Sequence, residues 1–333
     1  MKKMHVAILG ATGAVGREMM KILEERDFPA VALHPLASAR SVGTELPWRG
    51  GSVRVGEARD EAFAGMDLVL GAAEAELARR FAPAILRAGA VFVDNSSAFR
   101  LDPGVPLVVP EINPEDAAKH RGILSNPNCT TIISLTAVHA LHALSPIESI
   151  VASSYQAVSG AGNAGLKALR EELEALRDGR PCPPGVFPKP IACNVIPDIG
   201  GPALGGYTAE EMKLQNEGRK ILHRPDLRVS CTCVRVPVMR SHSVSLLVRT
   251  REKISVEEAR AAVAGAAGCR LLDDLPAGVY PTPLESTGQD LVHVGRIRED
   301  LTAENGLCLW CCGDQLRKGA ATNAVQIAEL LLR

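Results

Sequence analysis

Residues 6–16 read Val6-Ala7-Ile8-Leu9-Gly10-Ala11-Thr12-Gly13-Ala14-Val15-Gly16. The four leading apolar residues predict a buried strand, and the apolar spacing over 15–25 predicts a helix. Glycines at G-x-x-G-x-x-G spacing, a variant of the more usual G-x-G-x-x-G, fill the turn between them. Glycine permits a tight turn and lets backbone N–H groups approach an anion at the positive end of a helix. A glycine-rich turn by itself is weak evidence and fits a plain structural turn. Between the first strand and the first helix it points to a dinucleotide pyrophosphate held near Gly10, Gly13 and Gly16.

Working outward, short apolar runs at 31–36, 68–71 and 91–93 predict further strands, and 74–88 a helix between two of them. Strands alternating with helices imply a parallel, doubly wound, Rossmann-like sheet. The end of the second predicted strand reads Leu36-Ala37-Ser38-Ala39-Arg40-Ser41. A carboxylate there would bind the ribose hydroxyl of NAD; none is present. The guanidinium of Arg40 and the hydroxyl of Ser41 suit the 2′-phosphate of NADP, although residue type alone does not separate this from a solvated surface arginine.

The pattern changes after Asn126-Pro127-Asn128. A long apolar helix over 130–144 is followed by predicted strands at 149–155, 229–236, 244–250 and 291–298, with helices at 166–177, 209–222 and 256–266 between them. This predicts an α+β domain with a mixed sheet and helices on one face. The run from Arg180 to Pro190, with five prolines in eleven residues, reads as an excursion inside that domain rather than a linker. A helix over 320–332 is placed back on the first domain. The expected organisation is therefore 1–126 plus 314–333 for the nucleotide domain and 127–313 for a catalytic and dimerisation domain.

The composition suits a large-cored globular protein: 333 residues, 46% hydrophobic and 23% charged. With 37 basic and 38 acidic residues and a net charge of −1, there is no global basic field to recruit nucleic acid or an anionic membrane. Apolar runs are short and broken by charges, and Met1-Lys2-Lys3-Met4-His5 leads directly into the first strand without a signal-peptide core. The expectation is a soluble, cytoplasmic protein. The nine cysteines lack the dense spacing of a secreted scaffold. Cys231-x-Cys233 and Cys308-x-x-Cys311-Cys312 read as reduced core thiols, and no metal site is expected, His139 and His142 reading as a partly exposed helix face.

Asn126-Pro127-Asn128-Cys129-Thr130-Thr131 is the most informative stretch for chemistry. Pro127 favours extended backbone before it, and the helix starts just after Cys129. A thiol at a helix N-terminus is biased toward thiolate, and the same N–H groups, with the Asn128 amide, suit a developing oxyanion. A buried helix-start cysteine is the plainer alternative. Among the eight histidines, His242 stands out because basic and small polar residues surround it in Arg240-Ser241-His242-Ser243.

With these residues in view, the chain resembles the aspartate-semialdehyde dehydrogenases over nearly its full length. The resemblance runs in order through 10–16 and 38–41; Asp94-Asn95-Ser96-Ser97-Ala98-Phe99-Arg100; Val109-Pro110-Glu111-Ile112-Asn113; and 126–130. It continues through Tyr155-Gln156-Ala157-Val158-Ser159-Gly160-Ala161-Gly162; Glu210-Glu211-Met212-Lys213; Cys233-Val234-Arg235-Val236-Pro237; and Asp314-Gln315-Leu316-Arg317-Lys318-Gly319-Ala320. It implies Cys129 as nucleophile, His242 as acid/base and Gln156 as the residue positioning substrate and acyl-enzyme. Arg235 would grip the substrate carboxylate and Glu210 its amino group. Arg100, Asn128 and Lys213 would form a phosphate site, and Thr12, Gly13, Ala14, Val15, Arg40, Ser41, Ser159, Gly160 and Gln315 would contact the cofactor. Without the resemblance, Arg235 and Lys213 read as surface charges, and Glu210 with Lys213 as a helical i,i+3 pair. Family members often carry Gly-His-Ser-Glu where this chain has Ser241-His242-Ser243-Val244, a departure that bears on loop geometry and histidine orientation.

The implied activity is NADP-dependent reductive dephosphorylation of L-aspartyl-4-phosphate to the semialdehyde through a cysteine thioester, on the route to lysine, threonine and methionine. The implied partners are a small-molecule substrate, phosphate and a second copy in a homodimer. The nearest rival is another acyl-phosphate reductase such as N-acetyl-γ-glutamyl-phosphate reductase, whose acetylated substrate would leave Glu210 without an ammonium partner. Glyceraldehyde-3-phosphate dehydrogenase fits less well around Cys129. A non-catalytic NADP-binding homologue is the rival from another class.

Overall fold

The computed structural model describes residues 3–332. Met1, Lys2 and Arg333, which the expected domain ranges include, lie outside the described residues. The chain forms two units: one from the chain up to Asn128 together with the segment from Gly319 on, the other from Cys129–Lys318.

The first unit is built on strands β1 (Met4–Leu9), β2 (Ala30–Ala37), the hairpin β3 (Glu45–Trp48) and β4 (Gly51–Arg54), β5 (Gly56–Glu57), β6 (Leu68–Gly71), β7 (Val91–Asp94) and β8 (Ile123–Ser125). Helix α1 (Ala14–Glu25) follows β1, and α2 (Ala75–Arg87) follows β6. Apart from the β3–β4 hairpin, the strands make one parallel sheet in the order β5-β2-β1-β6-β7-β8. A parallel sheet needs cover on both faces, and alternation along the strands supplies it. Val6 and Ile8 point into the core that holds Met19, Ile22 and Leu23 of α1. Ala7 and Leu9 point into the opposite core, with Phe81, Ala82 and Ile85 of α2.

The second unit opens with α3 (Cys129–Leu144), then β9 (Ile147–Gln156), α4 (Gly162–Arg177), α5 (Ala209–Ile221), β10 (Arg228–Arg235), β11 (His242–Thr250), α6 (Val256–Gly265), β12 (Cys269–Leu271), α7 (Pro283–Ser286), β13 (Val292–Glu299) and β14 (Gly306–Gly313). Its sheet runs β10-β9-β11-β14-β13-β12. It is mixed: β10 is parallel to β9 and β12 to β13, while β11 is antiparallel to both β9 and β14. Helix α3 is buried from Thr130 through Val138 and contacts β9, β11, β13 and β14 as well as α5 and α6. The other face of the sheet reaches the surface at β9, where Val151 and Tyr155 are exposed, and Tyr155 lies against Trp310 with ring centroids 5.4 Å apart and planes tilted by 44°. A π-helical turn, Arg317–Ala321, leads into α8 (Thr322–Leu330), whose Ala324, Val325, Ile327 and Ala328 complete the α1 side of the first unit's core. The expected doubly wound sheet and mixed second sheet with helices on one face are thus both present. No helix among the described residues is long and apolar enough to cross a membrane.

Candidate active site

Three strand ends define the site. β9 and β10 run parallel and end together, with Gln156 opposite Arg235. β11 runs antiparallel to β9 and begins at His242, so all three side chains meet at one end of the sheet.

His242 is fully buried. The Ala157 N–H donates to its Nδ1 at 3.1 Å, which places the proton of the neutral ring on Nε2. Burial, and secondarily the Arg235 charge, push His242 down to about 3, so the ring is neutral near pH 7. The Gln156 amide is oriented from both sides: Ser154 Oγ donates to its Oε1 at 3.1 Å, and its Nε2 donates to Glu210 Oε1 at 3.2 Å. Gln156 Nε2 lies 3.5 Å from His242 Nε2. Two N–H donors converging on one spot suit an oxygen that gains negative charge.

Arg235 is buried. Its Nη1 donates to the Ala157 carbonyl at 2.8 Å, and its Nε is buried with no partner. An orphaned buried donor on a guanidinium points to a missing acceptor, and the Nε/Nη2 edge is the bidentate edge for a carboxylate. Burial pulls the Arg235 pKa down, while the negative charges of Cys129 and Glu210 oppose the shift. Gly160 packs against this cluster: a Cβ there would lie 2.7 Å from Arg235 Nη1 and 3.4 Å from His242 Cε1.

Cys129 is the first residue of α3 and is partly exposed. Several other thiols are poor nucleophiles by comparison. A hydrogen bond that the Cys233 thiol donates to Cys231, together with burial, pushes Cys233 up, burial raises Cys308 and Cys311, and Cys312 is pushed up to about 11.

A capping box sets the start of α5: Thr208 Oγ1 accepts from Glu211 N–H, and Glu211 Oε2 accepts from Thr208 N–H at 2.7 Å. Glu211 Oε1 also accepts from Cys233 N–H at 2.9 Å, fixing the helix start against β10. This turns Glu210 toward Gln156. Glu210 and Lys213 are ion-paired at 2.7 Å, so the i,i+3 pairing read as the plain alternative is present. In the first unit, Arg100 donates from Nε to Asn126 O and from Nη2 to Asn95 O, and Asn128 is buried.

Ser159 and Gln315 meet through a hydrogen bond from the Gln315 amide to Ser159 Oγ. Gln315 Oε1 also accepts from Ser241 N–H at 2.7 Å. Ser241 has φ +73°, the left-handed region that favours glycine, and its Oγ lies 3.0 Å from Thr287 Oγ1. The departure from glycine noted before His242 therefore falls on a backbone that glycine would fill without strain. Thr287 has no signal in the sequence, because it lies 46 residues away in an unremarkable Ser-Thr-Gly turn.

The first unit fits a dinucleotide. Gly10 has φ +87°, and a Cβ on it would lie 2.8 Å from the Ala72 carbonyl. The N-terminus of α1 has no side-chain cap and no acid in its first turn, leaving its N–H groups for an anion. Arg40 and Ser41 sit in a short 3-10 turn after β2; Arg40 is exposed and has no ion-pair partner among the described residues.

Comparison with known proteins agrees with both units. Residues 5–120 match the family model described as semialdehyde dehydrogenase, NAD binding domain, and residues 138–318 the model described as semialdehyde dehydrogenase, dimerisation domain. A curated aspartate-semialdehyde dehydrogenase from Synechocystis is 48% identical, covering 98% of this chain and 97% of the relative. One from Bacillus subtilis is 43% identical, covering 98% and 97%. The crystal structure of aspartate semialdehyde dehydrogenase II from Vibrio cholerae superposes with a TM-score of 0.97 at 42% identity, covering 100% of this chain and 99% of that one. A second structure of that protein, of equal similarity, is described as complexed with ASA.

Proposed function

This chain belongs to the aspartate-semialdehyde dehydrogenase family, and from that premise we propose that it converts L-aspartyl-4-phosphate to L-aspartate-4-semialdehyde with NADPH, through a thioester on Cys129. The reaction lies on the route to lysine, threonine and methionine. The observation that carries the reading is the convergence of Gln156, Arg235 and His242 at three strand ends.

The Cys129 thiolate attacks the acyl carbon, the carbon–oxygen bond to phosphate breaks, and phosphate departs. Arg100, Asn128 and Lys213 are assigned to the phosphate. Arg235 offers its unpartnered Nε edge to the substrate carboxylate, and Glu210 takes the ammonium group. The N–H groups of Gln156 and His242 stabilise the oxygen on the carbon bonded to Cys129. The Nε2–H of His242 lends its proton to the alkoxide as the thiohemiacetal forms and takes it back as the carbon–sulfur bond breaks to release thiolate and aldehyde. NADPH, when bound, supplies the hydride that reduces the thioester.

Gly10, Thr12, Gly13, Ala14 and Val15 are assigned to the pyrophosphate, Arg40 and Ser41 to the 2′-phosphate, and Ser159, Gly160 and Gln315 to further cofactor contacts. The first unit is accordingly the nucleotide domain and the second the catalytic and dimerisation domain. The exposed Val151 and the Tyr155–Trp310 ring contact on the exposed part of the sheet face support a homodimer. Nine free cysteines support a cytoplasmic location.

The test is Cys129→Ala. Phosphate-dependent NADPH formation from the semialdehyde should vanish, together with the mass of an acyl-enzyme trapped in wild type, while NADP binding persists. Turnover by the variant would exclude the covalent route.

A further inference from the structure

The proline-rich excursion has no part in the chemistry above, yet it is fastened to the site. Glu172 of α4 is buried, and its Oε2 accepts from Ile191 N–H at 2.6 Å and Ala192 N–H at 2.8 Å. A buried carboxylate is tolerated when its charge is hydrogen-bonded, and here it anchors the segment that follows Pro190. Ile191 and Ala192 join Val158, Leu169 and Ile196 in a small apolar cluster, and Phe187 packs against it. The anchored loop thereby carries the Phe187 ring to 5.7 Å from Arg235 Cζ.

Arg235 is thus held in two ways. Its Nη1 is tied to the Ala157 carbonyl, and an aromatic ring lies against its guanidinium, while Nε has no partner. A ring against the guanidinium excludes water and attracts the cation without using any N–H group. We propose that Phe187 is a positioning residue for substrate binding, holding Arg235 so that its Nε/Nη2 edge meets the substrate carboxylate. This rests on the reading of Arg235 as the group that grips that carboxylate. The interaction is the same in ground and transition states, so it acts on KM and leaves kcat alone.

The experiment is steady-state kinetics with aspartate semialdehyde, phosphate and NADP for F187L, F187M, F187Y, R235K and F187L/R235K, with melting temperatures alongside. F187L and F187M keep apolar volume but lose the aromatic face. They should raise KM about fivefold, the size of a partly desolvated cation–π contact, with kcat within about twofold of wild type. F187Y should behave as wild type. In the R235K background, F187L should add less than about twofold, because the geometry it supports is already gone. A KM unchanged in F187L and F187M beside a raised KM in R235K overturns the role of Phe187 alone. So does a full fivefold effect of F187L in the R235K background. A KM unchanged in R235K overturns the Arg235 assignment and this proposal with it.

Discussion

Thr287→Val should destabilise the protein far more when Ser241 is present than when residue 241 is glycine. Ser241 is fully buried, has φ +73°, and its hydroxyl lies 3.0 Å from Thr287 Oγ1. Thr287 Oγ1 itself donates to Pro283 O at 2.8 Å, so the shared proton belongs to Ser241. Removing the threonine hydroxyl leaves a buried serine donor unmet, a loss of about 2 kcal/mol. Ser241→Gly relieves about 1 kcal/mol of left-handed strain and gives up one hydrogen bond of about the same worth, so it is near neutral. In that background Thr287→Val removes only the bond to Pro283. A double-mutant cycle by urea denaturation should therefore show about 1–2 kcal/mol of coupling. Because Ser241 precedes His242, kcat should fall severalfold in Thr287→Val and recover in the double variant. A threonine cost that is equal in both backgrounds would refute the argument, since the hydroxyl pair would then contribute nothing to holding Ser241.

Other expectations follow from the same structure. Glu172→Ala leaves two buried N–H groups without their carboxylate and should cost about 3 kcal/mol, with new protease cleavage between residues 180 and 190; denaturation and limited proteolysis check both. His242 is held near a pKa of about 3, below its ordinary 6.5, so the unfolded chain binds the extra proton between those values. The His242 contribution to stability should thus fall as pH drops below about 6.5 and level off below about 3; a wild-type-minus-His242→Gln difference that is flat over this range contradicts the burial argument. Arg40→Ala should raise KM for NADP at least about tenfold and leave NAD kinetics nearly unchanged, and equal effects on the two would remove Arg40 from the 2′-phosphate.

The first unit was legible where its strands obey a local rule, while the short β5 (Gly56–Glu57) and β8 (Ile123–Ser125) went unpredicted. In β1, Val6 and Ile8 serve one core and Ala7 and Leu9 the other, so an unbroken apolar run reads correctly as a strand covered on both faces. The β3–β4 hairpin escaped notice because Glu45–Trp48 and Gly51–Arg54 are short and mostly exposed, with little apolar alternation to read. The C-terminal helix begins at Thr322 rather than 320 because a π-helical turn precedes it, and nothing in Arg317-Lys318-Gly319 distinguishes that turn from an α-helical one. At the site, Cys129 and His242 stood out in the chain itself, while Gln156 and Arg235 were singled out only by the family resemblance. What holds them was not visible: the Ala157 N–H on His242, the ring of Phe187 and the hydroxyl of Thr287 act through long-range backbone geometry that no local pattern encodes.

The return of α8 to the first unit orders events during synthesis. Ala324, Val325, Ile327 and Ala328 lie in the same apolar core as Val6, Ile8 and Met19, so that core is open until α8 has been translated. Cys129–Lys318 is continuous and has no such debt to a distant segment. On the ribosome the middle of the chain can finish first, while the nascent N-terminal sheet, covered on that side by α1 but not yet by α8, waits with part of one apolar face exposed.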